Sequence, residues 1–177
     1  MPRLLDDGCG SGWYMQQLAS HCSEVAGIDV SSGMLAIARS RAPHSFVVRA
    51  DARDLPFPDE RFDAVFLARV LSHLPQADVA LQETARVLTP GGLAIITDVD
   101  AGHPYEHTRL PLADGHVLAR TFKHPRAVVE RMLREAGMTE VQSALISEVG
   151  ETTPLAHLGE ETSRSAAGWM SAWLRAR

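Results

Sequence analysis

Glycines are concentrated in the first loop of the chain, Gly8-Cys9-Gly10-Ser11-Gly12, which follows the short apolar run and two acids of Leu4–Asp7. Glycine lets the backbone turn sharply and lets a ligand approach the main chain closely. About 20 residues later, the run VAGIDV ends in another acid, Asp29. A carboxylate at the end of such a strand is placed to accept hydrogen bonds from both hydroxyls of a ribose. The residues therefore indicate a site for a ligand that contains a ribose.

Two other kinds of nucleotide site fit this loop less well. The dinucleotide fingerprint G-x-G-x-x-G/A, counted from Gly8, puts its last position on Trp13, which is too large for close helix packing. A phosphate-binding P-loop is excluded because no Gly-Lys-Ser/Thr follows. The spacing therefore favours G-x-G-x-G over a site for a nicotinamide cofactor.

Histidines later in the chain are candidate general bases. His73 stands in RVLSHLP, and His103 and His107 flank Tyr105 in a polar segment. Each also has a structural interpretation: His73 as a packing or capping residue at a helix start, the other two as solvent-exposed loop side chains. A shared metal ion is not expected, because Pro104 separates His103 from His107 and no third ligand is evident.

Short apolar segments alternate with helical patterns, which is typical of an α/β fold with a mostly parallel sheet and helices on both faces. This fold places the glycine loop and Asp29 at the carboxyl ends of strands, where open sheets bind ligands. The predicted strands are Leu4–Asp7, Val25–Val30, Phe46–Ala50, Phe62–Ala68, Leu93–Val99 and Thr139–Val149. The predicted helices are Trp13–Ser20, a helix capped by Ser31, Pro75–Leu88, a helix from Pro125 to Gly137, and the tail Thr162–Arg177.

We expect a single domain over residues 1–177. Residues 1–99 form its cofactor-binding half, residues 100–123 a lid loop over the substrate, and residues 124–177 a helix, a strand and a tail helix. Trp169 and Trp173 form an aromatic stripe in the tail, interpreted as core or as the contact of a homodimer. In the helix after Ser31, the side chains expected to face inward are Met34, Leu35, Ile37 and Ala38.

The composition of the chain limits the kinds of partner that it is expected to bind. The formal net charge is −5 and Lys123 is the only lysine, so the chain is a poor electrostatic match for nucleic acid. No apolar run approaches the ~20 residues that cross a bilayer, and no signal sequence opens the chain. Cys9 and Cys22 show neither CxxC nor zinc spacing. We expect a cytoplasmic protein that acts on a small-molecule substrate, without nucleic acid or membrane partners.

Four segments in sequence carry a resemblance to a known family. LLDDGCGSGWYMQQLA resembles motif I of class I S-adenosylmethionine-dependent methyltransferases, in the small-molecule branch that includes ubiquinone and menaquinone C-methylases. IDVSSGMLAIAR is similar to the second strand and helix of that family. RADARDLPFPDERFDAVFLARVLSHL resembles its third-strand loop and fourth strand, and ARVLTPGGLAIITD its fifth-strand segment. The order and spacing of the four segments make the resemblance specific.

The resemblance implies S-adenosylmethionine as cofactor and a role for each matched residue. Asp6 orients the methionine end, and Gly8 and Gly10 lie under the methionine and ribose. Asp29 binds the ribose. The remaining matches are Asp51 and Ala52 for the adenine, and Ala68 and Arg69, whose carbonyls receive the methionine ammonium. Cys9 and Val30, adjacent to matched residues, complete the expected cofactor site, and His73 takes a position where this branch often carries histidine.

The same resemblance implies methyl transfer to an O, N or C atom of a small metabolite. The motifs of nucleic-acid methylases are absent: the end of strand four reads Leu-Ala-Arg-Val instead of Asn/Asp-Pro-Pro-Tyr, and there is no Pro-Cys nucleophile. The alternative is a methyltransferase-like module that binds the cofactor or a partner without transfer. Two family features are expected to be missing, the helices before the first strand and the seventh strand, which favours a truncated or remodelled chain.

Overall fold

The computed structural model describes residues 1–104, 106–112, 115–146, 152–154 and 168–176 of the 177-residue chain. Its helices are α1 (Trp13–Leu18), α2 (Ser32–Arg41), α3 (Ala77–Val87) and α4 (Arg126–Glu135), and 3₁₀ turns cover Ala19–His21 and Leu71–His73. Its strands are β1 (Arg3–Asp7), β2 (Glu24–Asp29), β3 (Phe46–Arg49), β4 (Phe62–Ala68), β5 (Leu88–Val99), β6 (His107–Leu112), β7 (Gly115–Arg120), β8 (Met138–Ile146), β9 (Thr152–Pro154) and β10 (Gly168–Arg175).

The main sheet has the strand order β3-β2-β1-β4-β5-β10-β8-β9. The first five of these strands run parallel to one another, and β10 is antiparallel to both β5 and β8. The chain passes from β1 through β2 to β3 on one side of the sheet, and then returns to form β4 on the other side of β1. The strand order therefore reverses at β1, which leaves a crevice there. The predicted α/β class with a mostly parallel sheet is confirmed.

Neighbouring residues of β1 supply two separate cores, because successive strand side chains point to opposite faces. Leu5 belongs to the larger core, which β4, β5, α3 and α4 share. Leu4 belongs to the smaller core, which includes Met15 of α1 and Leu35 of α2. Both faces of the central strands are therefore covered, and the crevice at their carboxyl ends rests on a rigid base.

The helix boundaries follow local signals in the sequence. The Ser31 hydroxyl accepts a hydrogen bond from the Met34 N–H and caps α2, as predicted. α3 ends at Val87 before the Pro-Gly-Gly stop, but it begins at Ala77 instead of Pro75. The expected inner face of α2 is correct for Leu35 and Ala38 and wrong for Ile37, which is 48% exposed, because only a narrow stripe of this helix faces the sheet.

The predicted tail helix and the expected absence of a seventh strand are both wrong. Residues 168–175 form β10, a strand inserted between β5 and β8, and residues 155–167 lie outside the described residues. Trp169, Ser171 and Trp173 alternate with more exposed neighbours along β10, so the buried face has the two-residue period of a strand. Residues four positions apart lie on one face of a helix and also on one face of a strand, so the spacing of the two tryptophans fits either structure. The hydrogen bonds of this segment to β5 and β8 make it a strand.

Residues 100–123, expected to be a lid loop over the substrate, contain an antiparallel hairpin. β6 pairs with β7 from His107 opposite Arg120 to Leu112 opposite Gly115. No helix in the described part of the chain is long and apolar enough to span a membrane.

Replacing Trp173 tests how far β10 contributes to the core. The Trp173 side chain is fully buried and its indole N–H donates to the Ser171 hydroxyl at 2.8 Å. We expect Trp173→Ala to lower the free energy of unfolding by about 3–5 kcal/mol, because the substitution leaves a large cavity. The measurement is urea unfolding followed by circular dichroism.

Leu174→Ala is the matched control, since Leu174 is the next residue of β10 and is 38% exposed. We expect it to cost less than about 1 kcal/mol. Equal small losses for both variants would contradict the insertion of β10 into the core.

Candidate functional site

A cavity of about 720 Å³ opens at the carboxyl ends of β1, β2 and β4. A volume of this size suits a small-molecule ligand or cofactor. Its walls come from both sides of the reversal in strand order and from the end of the hairpin. The lining residues are Asp7, Gly8, Gly10, Ile28, Asp29, Val30, Ser31, Met34, Ala50, Asp51, Ala52, Ala68, Arg69, Val70, His73, Leu74, Ala119 and Arg120.

Most residues predicted to bind the cofactor meet at this cavity. The eight that line it are Gly8, Gly10, Asp29, Val30, Asp51, Ala52, Ala68 and Arg69. Asp6 and Cys9 do not line the cavity. Asp6 is buried behind it, and burial raises the pKa of the Cys9 thiol to about 12, so Cys9 packs as a neutral thiol under the loop.

The glycine loop needs glycine at Gly8 for two reasons. Its backbone has a φ of 75°, in the left-handed region. A Cβ atom there would lie 2.5 Å from Cγ2 of Val70, on the opposite wall of the cavity. The loop therefore packs directly against the Val70 side chain, with no room for a side chain at position 8.

The carboxylate of Asp29 holds the loop in place. Its Oδ2 accepts a hydrogen bond from the Gly10 N–H at 2.9 Å, and its Oδ1 accepts one from the Ser31 N–H at 2.8 Å. The Cys9 N–H also donates to the Ile28 carbonyl at 2.7 Å. Each carboxylate oxygen keeps a further lone pair, so Asp29 can still accept hydrogen bonds from a ligand.

Asp51 is held by the arginine two residues further on. The Arg53 guanidinium donates to Asp51 at 2.7 and 3.0 Å, and these bonds hold the pKa of the Asp51 carboxyl below its usual range. Asp51 is therefore ionised near neutral pH and oriented at the cavity wall. The next residue, Ala52, is buried beside it.

Arg69 lies at the end of β4 in a strained backbone conformation. Its φ is 60°, a region that side chains other than glycine seldom occupy, and its N–H donates to the Thr97 carbonyl at 2.8 Å. Strain of this kind costs on the order of 1 kcal/mol or more and is found most often at functional sites. It turns the chain sharply after Ala68, and both residues line the cavity.

His73 lies at the mouth of the cavity on the 3₁₀ turn Leu71–His73. Surrounding protein atoms lower the pKa of its imidazole through desolvation, while the charge of Asp98 acts in the opposite direction. Asp98 is itself buried and accepts a hydrogen bond from the Ser72 N–H at 2.7 Å, which fixes the turn. His73 is therefore mostly neutral near pH 7 and able to accept a proton.

The other two predicted bases do not line this cavity. His103 follows β5, where its carbonyl accepts a hydrogen bond from Lys123 Nζ at 2.5 Å. His107 opens β6 and lines a second cavity of about 550 Å³ at the base of the hairpin. Their catalytic roles remain predictions. In the described ranges, no group of three or more His, Cys, Asp or Glu side chains could hold a metal ion.

Two adjacent acids of β1 are buried under the site. Asp7 is fully buried and neither of its carboxyl oxygens has a hydrogen-bond partner. Burial raises the pKa of Asp7 to about 8, with further contributions from Asp6, Asp51, Asp29 and Glu83. Burial also raises the pKa of Asp6 to about 7, although a backbone hydrogen bond at Met15 opposes the shift. Asp7 is therefore mainly protonated near pH 7.

Several lining residues were not singled out from the sequence. Asp7 stands directly before the glycines. The only feature of the sequence that could have pointed to it is an acidic residue at the end of a predicted buried strand. Met34 lies one turn into α2 and could have been found from its position after Asp29. Nothing local pointed to Val70, Ala119 or Arg120, which reach the cavity through the folding of distant segments.

Asp7 gives the stability of the fold a specific pH dependence. Its pKa is near 4 in the unfolded chain and about 8 in the fold, so the folded chain retains a proton between these values. Its contribution to stability is complete below about pH 4 and is lost as the pH rises through 8. We expect Asp7→Asn to reduce the decrease in unfolding free energy between pH 5 and pH 8 by about 3–4 kcal/mol. Urea unfolding at each pH measures it.

Asp63→Asn is the control for this prediction. Hydrogen bonds from Arg3 lower the pKa of Asp63 to about 2, so its stabilising effect is lost only as the pH falls toward 2. The difference between pH 5 and pH 8 should be unchanged in this variant. An unchanged difference in Asp7→Asn as well would show that Asp7 is ionised in the fold.

Comparisons with known proteins agree with this geometry. The family model described as "Methyltransferase domain" matches residues 5–96, which contain the glycine loop, Asp29 and Asp51. The biotin biosynthesis bifunctional protein BioHC of Cellvibrio japonicus is 36% identical over 138 residues, which are 77% of this chain and 27% of that protein. The fatty-acid O-methyltransferase of Mycolicibacterium smegmatis is 34% identical over 158 residues, with 86% of this chain and 55% of that protein covered.

A solved structure extends the likeness over nearly the whole chain. The S-adenosylmethionine dependent methyltransferase of Mesorhizobium loti superposes with a TM-score of 0.76 at 19% identity, covering 98% of this chain and 91% of that one. At this identity the likeness concerns the fold alone. The chain spans 27% and 55% of the two curated relatives named above. The family model covers more than half of the chain, and the chain therefore belongs to the methyltransferase-domain family.

Proposed function

We propose that the chain binds S-adenosylmethionine in the 720 Å³ cavity and catalyses methyl transfer to an O, N or C atom of a small molecule. The observation that carries the proposal is the Asp29 carboxylate. It fixes the glycine loop through Gly10, and it lines the same cavity as Asp51 and Ala52. The relatives named as methyltransferases support the same reaction.

The proposal gives each part of this cofactor a partner. Asp29 would accept hydrogen bonds from the ribose hydroxyls, and the ionised Asp51 would accept one from the adenine amine next to the Ala52 N–H. The carbonyls of Ala68 and Arg69 would receive the methionine ammonium at the end of β4. The acidic wall, on which Asp29 carries a charge that no arginine in the described part of the chain balances, would attract the cationic sulfonium. Asp6, which is buried and does not line the cavity, would support the methionine end from inside the protein.

The bound cofactor supplies an electrophilic methyl group on a sulfonium, so the protein supplies mainly position. The chain must hold a nucleophile in line with the carbon–sulfur bond and exclude water, and such alignment supplies much of the rate acceleration. His73 at the cavity mouth is our candidate for taking a proton from a protonated nucleophile. His103 and His107 are the alternatives in the segment 100–123, which we propose covers the acceptor.

Titration calorimetry with S-adenosylhomocysteine tests the cofactor site. We expect micromolar binding to the wild-type chain and at least about 30-fold weaker binding to Asp29→Ala, because charge-assisted hydrogen bonds to the ribose are lost. Asp29→Asn keeps the size of the side chain but replaces one acceptor oxygen with an amide donor, so it should also weaken binding. Asp78→Ala, an exposed acid at the start of α3, is the matched control and should bind normally.

A folded wild-type chain that fails to bind S-adenosylhomocysteine would overturn the cofactor proposal. Equal affinities for Asp29→Ala and wild type would remove Asp29 from the site while leaving the cofactor in place.

Release of S-adenosylhomocysteine on incubation with a panel of small acids, phenols and amines tests the transfer itself. We expect turnover with at least one acceptor class, and for a protonated nucleophile a loss of about 10²–10³-fold in kcat for His73→Asn with unchanged cofactor affinity. His44→Asn is the matched control, because His44 precedes β3 and does not line the cavity. Binding without any turnover would favour the alternative function, a cofactor-binding or partner module without transfer activity.

Location and partners complete the proposal. A net charge of −5 supports a small molecule over nucleic acid as acceptor, and we assign the protein to the cytoplasm. A homodimer remains a prediction, to be measured by light scattering. Trp169 and Trp173 are at most 1% exposed within their own chain, so a dimer must use a different surface from the one the sequence suggested.

A further inference from the structure

The charged groups of the main cavity are divided between its two ends. Asp29 and Asp51 lie on the side formed by β2 and the loop after β3, and the protonated Asp7 adds no charge there. Arg69 and Arg120 lie with the imidazole of His73 on the opposite side, toward the hairpin. The Asp51 charge is already balanced by Arg53. In the described part of the chain, no carboxylate forms an ion pair with Arg69 or Arg120.

Arg120 has a special place because it lines both the 720 Å³ cavity and the 550 Å³ cavity. The second cavity, of about 550 Å³, lies beyond it at the base of the hairpin. Among the residues that line it, one is acidic, Glu106, and four are basic: Arg120, Lys123, His107 and His124. This is a local excess of positive charge in a chain whose net charge is −5 and whose only lysine is Lys123.

The hairpin base is fixed next to the proposed base. The Phe122 N–H donates to the Ser72 carbonyl at 2.8 Å, and His124 Nε2 lies 2.8 Å from the Leu74 carbonyl. Both contacts join the segment after β7 to the turn that carries His73. Arg120, two residues before Phe122, is thereby held at the same mouth as His73. An acceptor bound at Arg120 lies beside the cofactor cavity without occupying its acidic wall.

We propose that the methyl acceptor is an anionic small molecule, whose carboxylate or phosphate binds Arg120 where the two cavities meet. This inference rests on the proposed function and specifies the substrate class of that site. A planar guanidinium donates paired hydrogen bonds to carboxylate or phosphate, and its own charge is permanent. Arg69 adds positive charge on the same side. The anion of the acceptor then lies at the hairpin end of the cavity, away from the Asp29 and Asp51 side proposed for the ribose and the adenine.

Titration calorimetry with three probes of eight carbons each tests the inference. Octanoate, octyl phosphate and 1-octanol carry a carboxylate, a phosphate and a hydroxyl head group, and each is titrated into the chain with and without saturating S-adenosylhomocysteine. We expect both anions to bind more tightly than the neutral alcohol, and Arg120→Gln to weaken anion binding at least about tenfold. Arg120→Lys, which keeps the charge but loses the planar fork, should retain part of the affinity. The tighter anion identifies carboxylate or phosphate as the preferred group.

Arg131→Gln is the matched control, because Arg131 is an exposed arginine on α4 that pairs only loosely with Glu135 at 3.7 Å. It removes the same charge and should leave all three affinities unchanged. Equal affinity for 1-octanol and octanoate, or octanoate binding that Arg120→Gln does not change, would overturn the proposal. So would a loss of S-adenosylhomocysteine affinity in Arg120→Gln without loss of octanoate affinity, which would assign Arg120 to the cofactor.

The two proposals fail separately. The anion titrations without cofactor report on Arg120 even if S-adenosylhomocysteine does not bind. Normal S-adenosylhomocysteine binding together with no anion preference would leave the proposed function intact and remove the anionic acceptor.

Discussion

The carboxylate of Asp29 joins the ends of two strands at the point on which the site depends. One of its oxygens accepts from the Gly10 N–H and the other from the Ser31 N–H, so it ties the loop after β1 to the start of α2. Hydrogen bonds to an ionised group are each worth roughly 1.5–3 kcal/mol. A glycine-rich loop has large conformational entropy, and this pair of bonds offsets part of the cost of ordering it. The cavity wall therefore exists as a fixed surface because an acid stands at this position.

The site carries features that cost stability and have no role in packing. Asp7 is fully buried with both carboxyl oxygens unpartnered, and Arg69 has a left-handed backbone. Each is unfavourable by itself, and the surrounding structure must hold it in place. Large buried residues such as Phe62, Leu81 and Trp173 provide that support from the main core. Asp7 and Arg69 both belong to the wall of the crevice.

Local patterns were sufficient for the amino-terminal half of the fold. Glycines, strand-end acids and the Ser31 cap act within a few residues of themselves, and the strands and helices up to β5 agree with the predictions to within a few residues. The carboxyl-terminal half was less predictable. The tail with Trp169 and Trp173 was expected to be a helix, and the hairpin of β6 and β7 was expected to be a lid loop. The tail is a strand because it pairs with β5 and β8, which are distant from it or from each other in the sequence. The hairpin pairs two neighbouring segments, but its polar residues carry only a weak strand pattern.

The sequence by itself determined the family, the parallel core and most of the residues at the cofactor cavity, because a loop that must admit a ligand needs particular residue types at particular spacings. Tertiary structure alone decided that Asp7 is a buried, protonated acid, since its pKa depends on the charges of Asp6, Asp29, Asp51 and Glu83 around it. It also decided which basic groups face the cavity. Arg120 is more than 110 residues from Gly8 in the chain, and only the pairing of the hairpin with the turn at Ser72 brings its charge to the same opening.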